Sequence, residues 1–118
     1  MIELRYGTIE NGEKTFQEPK AFFLVKMEKK QEVVRETGVD LAMRPYEIIK
    51  GTKNVYTITL GATSWYGTTE RYYLLNFERA PAKQIKFDGV WTDVFLRKPL
   101  EWTEDDGIKY CKIEVETF

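Results

Sequence analysis

Histidine is absent from the 118 residues, and there is a single cysteine, Cys111. The chain therefore supplies no Ser-His-Asp or Cys-His pair, no His-containing zinc site and no internal disulfide. Neither sign of charge dominates, since 18 Lys plus Arg stand against 19 Asp plus Glu. That balance removes the global pull toward nucleic acid or acidic lipid. The longest uninterrupted apolar run, residues 21–25, is far below the roughly 18 residues of a membrane span. Charge at Glu3 and Arg5, with no apolar stretch after it, does not read as a signal peptide, so synthesis in the cytoplasm is expected. Neither GxxxxGK[ST] nor GxGxxG occurs, so nucleotide chemistry has no support. The expectation is a protein that is not an enzyme, with no catalytic residue, cofactor, metal, nucleic acid or membrane.

What is present is a core and a rhythm. Hydrophobic residues make up 42% of the chain, enough for one domain spanning residues 1–118. Turn signals recur at Asn11-Gly12, residues 50–54 around Gly51, residues 63–68 around Gly67, Asp88-Gly89 and Asp105-Asp106-Gly107. Asn-Gly and Asp-Gly accept the positive φ of tight hairpins at low steric cost, so each predicts two adjacent antiparallel strands. The spacing suits an all-β fold, a single antiparallel β-sandwich or barrel-like domain of about seven to nine strands.

Residues 54–60 alternate cleanly, with Tyr56, Ile58 and Leu60 on one face. Residues 71–77 place Tyr73, Leu75 and Phe77 together and Tyr72 and Leu74 opposite, which reads as a central strand buried on both sides. Residues 84–87 and 90–96 read as a hairpin through Asp88-Gly89. Residues 109–117 separate Cys111, Ile113 and Val115 from Tyr110, Lys112, Glu114 and Glu116, a strand with one wet face. Residues 22–36 have helix-forming composition, but the polar run 28–32 would break an apolar stripe. A hairpin turning through residues 28–31 is preferred there. The four prolines, Pro19, Pro45, Pro81 and Pro99, fall between elements or at their edges. The expected core is Tyr56, Ile58, Leu60, Tyr73, Leu75, Phe77, Ile85, Phe87, Val94, Cys111, Ile113 and Val115.

The acidic stretch 101–107 lacks the alternating oxygen ligands of a calcium loop and reads as a solvated turn. Lys26, Lys29, Lys30 and Arg35 are interleaved with Glu28, Glu32 and Glu36, a mixed-charge face. Aromatics, at 14%, carry the most information. Trp91 and Trp102 fall in or beside strands and are expected in the core. Trp65 and Tyr66 sit in a short polar loop, a place for contact with a protein partner or a sugar ring; the alternative is that Trp65 folds back over an end of the sandwich.

In size, strand-rich composition and want of a catalytic motif or signal peptide, the chain resembles small phage virion proteins of the tail or head-tail connector. The resemblance implies a non-enzymatic structural module that contacts other protein subunits, itself among them, and resides in a virion. It rests on no motif and assigns no residue. A carbohydrate-binding module using the Trp65-Tyr66 loop is the second reading, with a glycan as ligand.

Overall fold

A computed structural model describes residues 1–65 and 68–118. Among the described residues, ten strands and one helix follow in the order β1 (Ile2–Glu10), β2 (Glu13–Phe16), β3 (Lys20–Phe22), β4 (Leu24–Val39), β5 (Pro45–Ala62), α1 (Thr69–Arg79), β6 (Ala82–Phe87), β7 (Val90–Asp93), β8 (Phe95–Leu96), β9 (Glu101–Asp105) and β10 (Ile108–Thr117). They make an all-β sandwich of two five-stranded antiparallel sheets, with more strands than the seven to nine expected. One sheet runs β2-β1-β6-β7, with β3 also on β1; the other runs β4-β5-β10-β8, with β9 also on β10.

Three turns form where Asn-Gly or Asp-Gly demands them. Asn11 and Gly12 take φ of 52° and 79°, Asp88 and Gly89 50° and 80°, and Asp106 and Gly107 50° and 76°. Two consecutive positive φ values match the twist of the strands they join. Alternation also holds in β10, where Cys111, Ile113 and Val115 are wholly buried, and in β5, where Ile58 and Leu60 are. These meet Ile2, Leu4, Phe22 and Ile85 of the opposite sheet in one core. Tyr56, Tyr73 and Phe87 pack on it partly buried, and Val94 is inside it.

Residues 71–77 form a helix and not a central strand. Thr68 caps it by accepting a hydrogen bond from the Arg71 amide at 3.1 Å, and Glu70 and Arg79 complement the dipole at its two ends. Leu74 and Phe77, three apart and on one face, are wholly buried, whereas Leu75 is only half-buried. A seven-residue run apolar at both parities satisfies a strand and a helix alike, and here helix propensity and the cap decide. Tyr73 anchors α1 to the sheet by donating its hydroxyl to the carbonyls of Leu4, at 3.1 Å, and Glu18, at 2.7 Å.

The hairpin expected through residues 28–31 does not turn there. β4 continues to Val39, and the reversal comes at Asp40, whose carboxylate accepts from the amides of Ala42 and Arg44 at 2.9 and 2.8 Å. The polar run 28–32 is tolerated because residues 28–31 are exposed on both faces of the ribbon and Glu32, half-buried, meets Arg97. The signal at residues 50–54 is likewise no turn: it lies inside β5, where a bulge shifts the register between Val34 and Arg35 and Gly51 takes φ 148°. Glycine marks a bulge as readily as a turn. Residues 90–96 also divide, since the chain passes through buried Val94 and Phe95–Leu96 joins the other sheet against β10.

Candidate protein interface

β4 and β5 pair from Leu24↔Leu60 to Val39↔Pro45, but β10 accompanies β5 only as far as Thr117↔Asn54. Beyond Gln31 and Asn54 the ribbon has no third strand among the described residues. Eight residues separate Gln31 from Val39, so at ~3.3 Å per residue a two-stranded arm projects about 26 Å from the body. No hydrophobic side chain between Phe22 and Val55 belongs to the buried core. The molecule measures 60 × 40 × 24 Å with a radius of gyration of 17.5 Å, whereas a compact chain of this length would have about 13.5 Å.

At its root the arm is held by charge. Cross-strand partners Glu32 and Lys53 reach two elements of the body: Arg97 bonds Glu32 at 2.9 Å, and Lys53 bonds Glu116 at 2.9 Å. Arg97 also approaches Glu116 at 3.7 Å, closing the network. The hydrogen bond from Arg97 holds the Glu32 carboxyl below its usual range. Along the arm each charge finds a mate, with Arg35 on Glu47 at 2.5 Å, Lys50 on Glu36 at 3.0 Å and Arg44 on Asp40 at 3.6 Å. Lys26 pairs with Glu28 and Lys30 with Glu32, the mixed-charge face expected.

What the arm leaves unpartnered is apolar. Leu41 is fully exposed at 106%, Met43 81% and Ile49 66%, and Val39, Tyr46 and Ile48 are exposed beside them. Tyr46 lies across Gly38, where an added Cβ would meet its ring at 2.6 Å, so the glycine makes room for the aromatic ring.

A second apolar surface lies at the other end of the same ribbon. Phe23, Val25, Gly61, Ala62, Ile108 and Tyr110 line an open groove of about 400 Å³ on the outer face of the β4-β5-β10 sheet. Phe23 is 63% exposed there. Gly61 forms the floor, since a Cβ on it would stand 2.7 Å from a methyl of Val25.

Of the two loop aromatics singled out for contact, Trp65 is inside, 4% exposed, meeting Trp102 edge-on with ring centroids 5.5 Å apart. Its placement is the fold-back over the sandwich end, not a ring held out to a partner or a sugar. Tyr66 and Gly67 lie outside the described residues. Trp102 packs on the core as expected and carries Arg71 over its face at 4.9 Å. Trp91 does not join the core: opposite Lys86 in the register, it stands on the outer face, where Arg5 is stacked between it and Phe16 at 4.3 and 4.4 Å. Cys111 is a core side chain, and burial pushes its thiol up to about 12. The acidic stretch 101–107 is an exposed hairpin in which Glu104 pairs with Lys109 at 2.6 Å. Among the described residues no three His, Cys, Asp or Glu side chains cluster to hold a metal, and no helix is long and apolar enough to cross a membrane.

The arm and the groove were missed by sequence reasoning. The signal of the arm was available in the apolar residues among 39–49, which follow a polar run without forming an alternating face.

No family model matches the sequence, and no curated protein sequence matches it significantly. Among solved structures, a chain described as the tail of an empty GTA particle with C6 symmetry aligns over 99% of this chain and 90% of that one. Its identity is 11% and its TM-score 0.45, too loose a likeness to carry an argument about function.

Proposed function

We propose that this protein is a non-enzymatic structural subunit that acts by protein-protein contact, with the β4-β5 arm as its principal contact element. The observation that carries the reading is the arm itself: a ribbon that adds no side chain to the buried core and holds Leu41, Met43 and Ile49 out to solvent. An isolated two-stranded hairpin is marginal in water, and exposed apolar patches of this kind mark interaction sites. The surface agrees in magnitude. The chain exposes 8010 Å², roughly 1,300 Å² more than the ~6,700 Å² of a compact monomer of its mass. A specific interface of standard size takes about 800 Å² from each partner.

The setting we assign is a virion tail or connector, on the resemblance in size and strand-rich composition. With Trp65 buried, Tyr66 is the loop aromatic left to make a second contact, with a protein subunit or, in the carbohydrate reading, a glycan. Sedimentation velocity over a concentration series tests the main assignment. The full chain is expected to self-associate or to assemble with its partner subunits, and a chain with residues 32–53 replaced by Asn-Gly to stay monomeric and unassembled. Equal assembly by both would remove the arm from the function.

A further inference from the structure

The arm tip and the groove are the two exposed apolar surfaces of one ribbon, and they cannot meet within one molecule. Val25 and Asp40 lie fifteen residues apart on the same side of the hairpin, so at ~3.3 Å per residue the two surfaces are separated by about 50 Å of paired backbone. That span agrees with the 60 Å long axis. A paired ribbon braced at its root by the Glu32, Arg97, Glu116 and Lys53 network does not fold back on itself.

We infer that the tip of the arm, led by Leu41 and Met43, seats in the groove between Phe23, Val25, Ile108 and Tyr110 of a second copy of this chain. The inference rests on the assembly reading above and names its partner. The chemistry of the two surfaces matches. The charges of the arm, Arg35, Glu36, Asp40, Arg44, Glu47 and Lys50, are all paired within it, so the tip offers apolar side chains with no uncompensated charge. The groove is lined by apolar and aromatic side chains over a glycine floor. Giving one contact and receiving another at standard size takes about 1,600 Å² from each copy, of which the excess exposed surface supplies roughly 1,300 Å². Because the two halves are different patches, the contact is heterologous. Each copy lends an arm to one neighbour and a groove to the other, so the assembly grows into a ring or a filament and does not stop at a symmetric dimer.

Complementation between two kinds of defective copy tests this. The arm variant carries Leu41→Asp and Met43→Asp; the groove variant carries Ile108→Asp, with Phe23→Asp, between β3 and β4, as its independent replicate. Circular dichroism and thermal melting first establish that each is folded, which the exposure of all four side chains favours. By sedimentation velocity, arm and groove variants alone should each self-associate at least ~tenfold more weakly than the unaltered chain. Mixed one to one, they should form a complex of two copies that grows no further, because one supplies a sound groove and the other a sound arm. Normal assembly by both groove variants, with the arm variant monomeric, would overturn the groove as the seat and leave the arm's role standing. Failure of the mixture to pair would overturn the heterologous contact. Normal assembly by the arm variant would overturn this inference and the proposed function together.

Discussion

Replacing residues 32–53 by Asn-Gly, so that Gln31 and Asn54 flank a two-residue turn, removes nearly a fifth of the chain and should barely change its stability. The excised segment contributes no side chain to the buried core. An isolated two-stranded hairpin is marginal in water, so the pairing of the arm with itself adds little net free energy to the folded chain. The further loss of the ion pairs from Arg97 and Glu116 to the arm root is small, because those side chains are only partly buried and solvent still screens them. The net change expected is within about 1 kcal/mol of the full chain. Urea denaturation of dilute protein followed by tryptophan fluorescence measures it, since Trp65, Trp91 and Trp102 all lie in the body. The slope of free energy against urea should fall only slightly, because the arm is solvated before unfolding as well as after. A loss above ~3 kcal/mol would refute the reasoning and mean that the arm packs on the body.

Other substitutions separate the body's features. Phe77→Ala should cost ~3–5 kcal/mol in urea titration and Tyr72→Ala under ~0.5 kcal/mol, the contrast of a helix with one buried face; equal losses would restore a strand buried on both sides. Stability should fall as pH rises from about 9 toward about 12, since burial raises both Cys111 and Tyr73 to about 12 and the folded chain holds protons that the unfolded chain releases. A flat alkaline limb of thermal melting against pH would contradict that burial. Gly7→Ala should cost more than ~2 kcal/mol or prevent folding, because its Cβ would fall 1.7 Å from the Thr15 carbonyl oxygen on β2; an unchanged melting temperature would mean β1 and β2 do not pair as described.

The sandwich was legible in the sequence wherever a local rule had one meaning. Asn11-Gly12, Asp88-Gly89 and Asp106-Gly107 can scarcely be anything but tight turns, and the alternation of β10 has a single buried face. Legibility failed where one signal had two meanings. Gly51 is a bulge with the composition of a turn, and residues 71–77 carry apolar side chains at both parities, so only the Thr68 cap and the spacing of Leu74 and Phe77 distinguish the helix. The arm was hidden for a different reason. Periodicity reports burial, and a ribbon wetted on both faces has none, so residues 24–39 looked like two short elements around a polar turn. The candidate site fared likewise: the aromatic loop drew attention to Trp65, whose burial serves the fold, while the exposed Leu41 and Met43 looked ordinary.

Hydrogen-deuterium exchange of the full chain at low and high concentration tests the central claim most directly. Amides of an uncovered two-stranded arm open easily and exchange fast, whereas those of a seated arm are shielded. The expected result is fast exchange across residues 32–53 in dilute protein and marked protection of the same residues once the protein assembles, with β1 and β6 of the opposite sheet unchanged. Assembly that leaves the arm exchanging as fast as before would contradict the claim that the arm is what this protein uses to make its contacts.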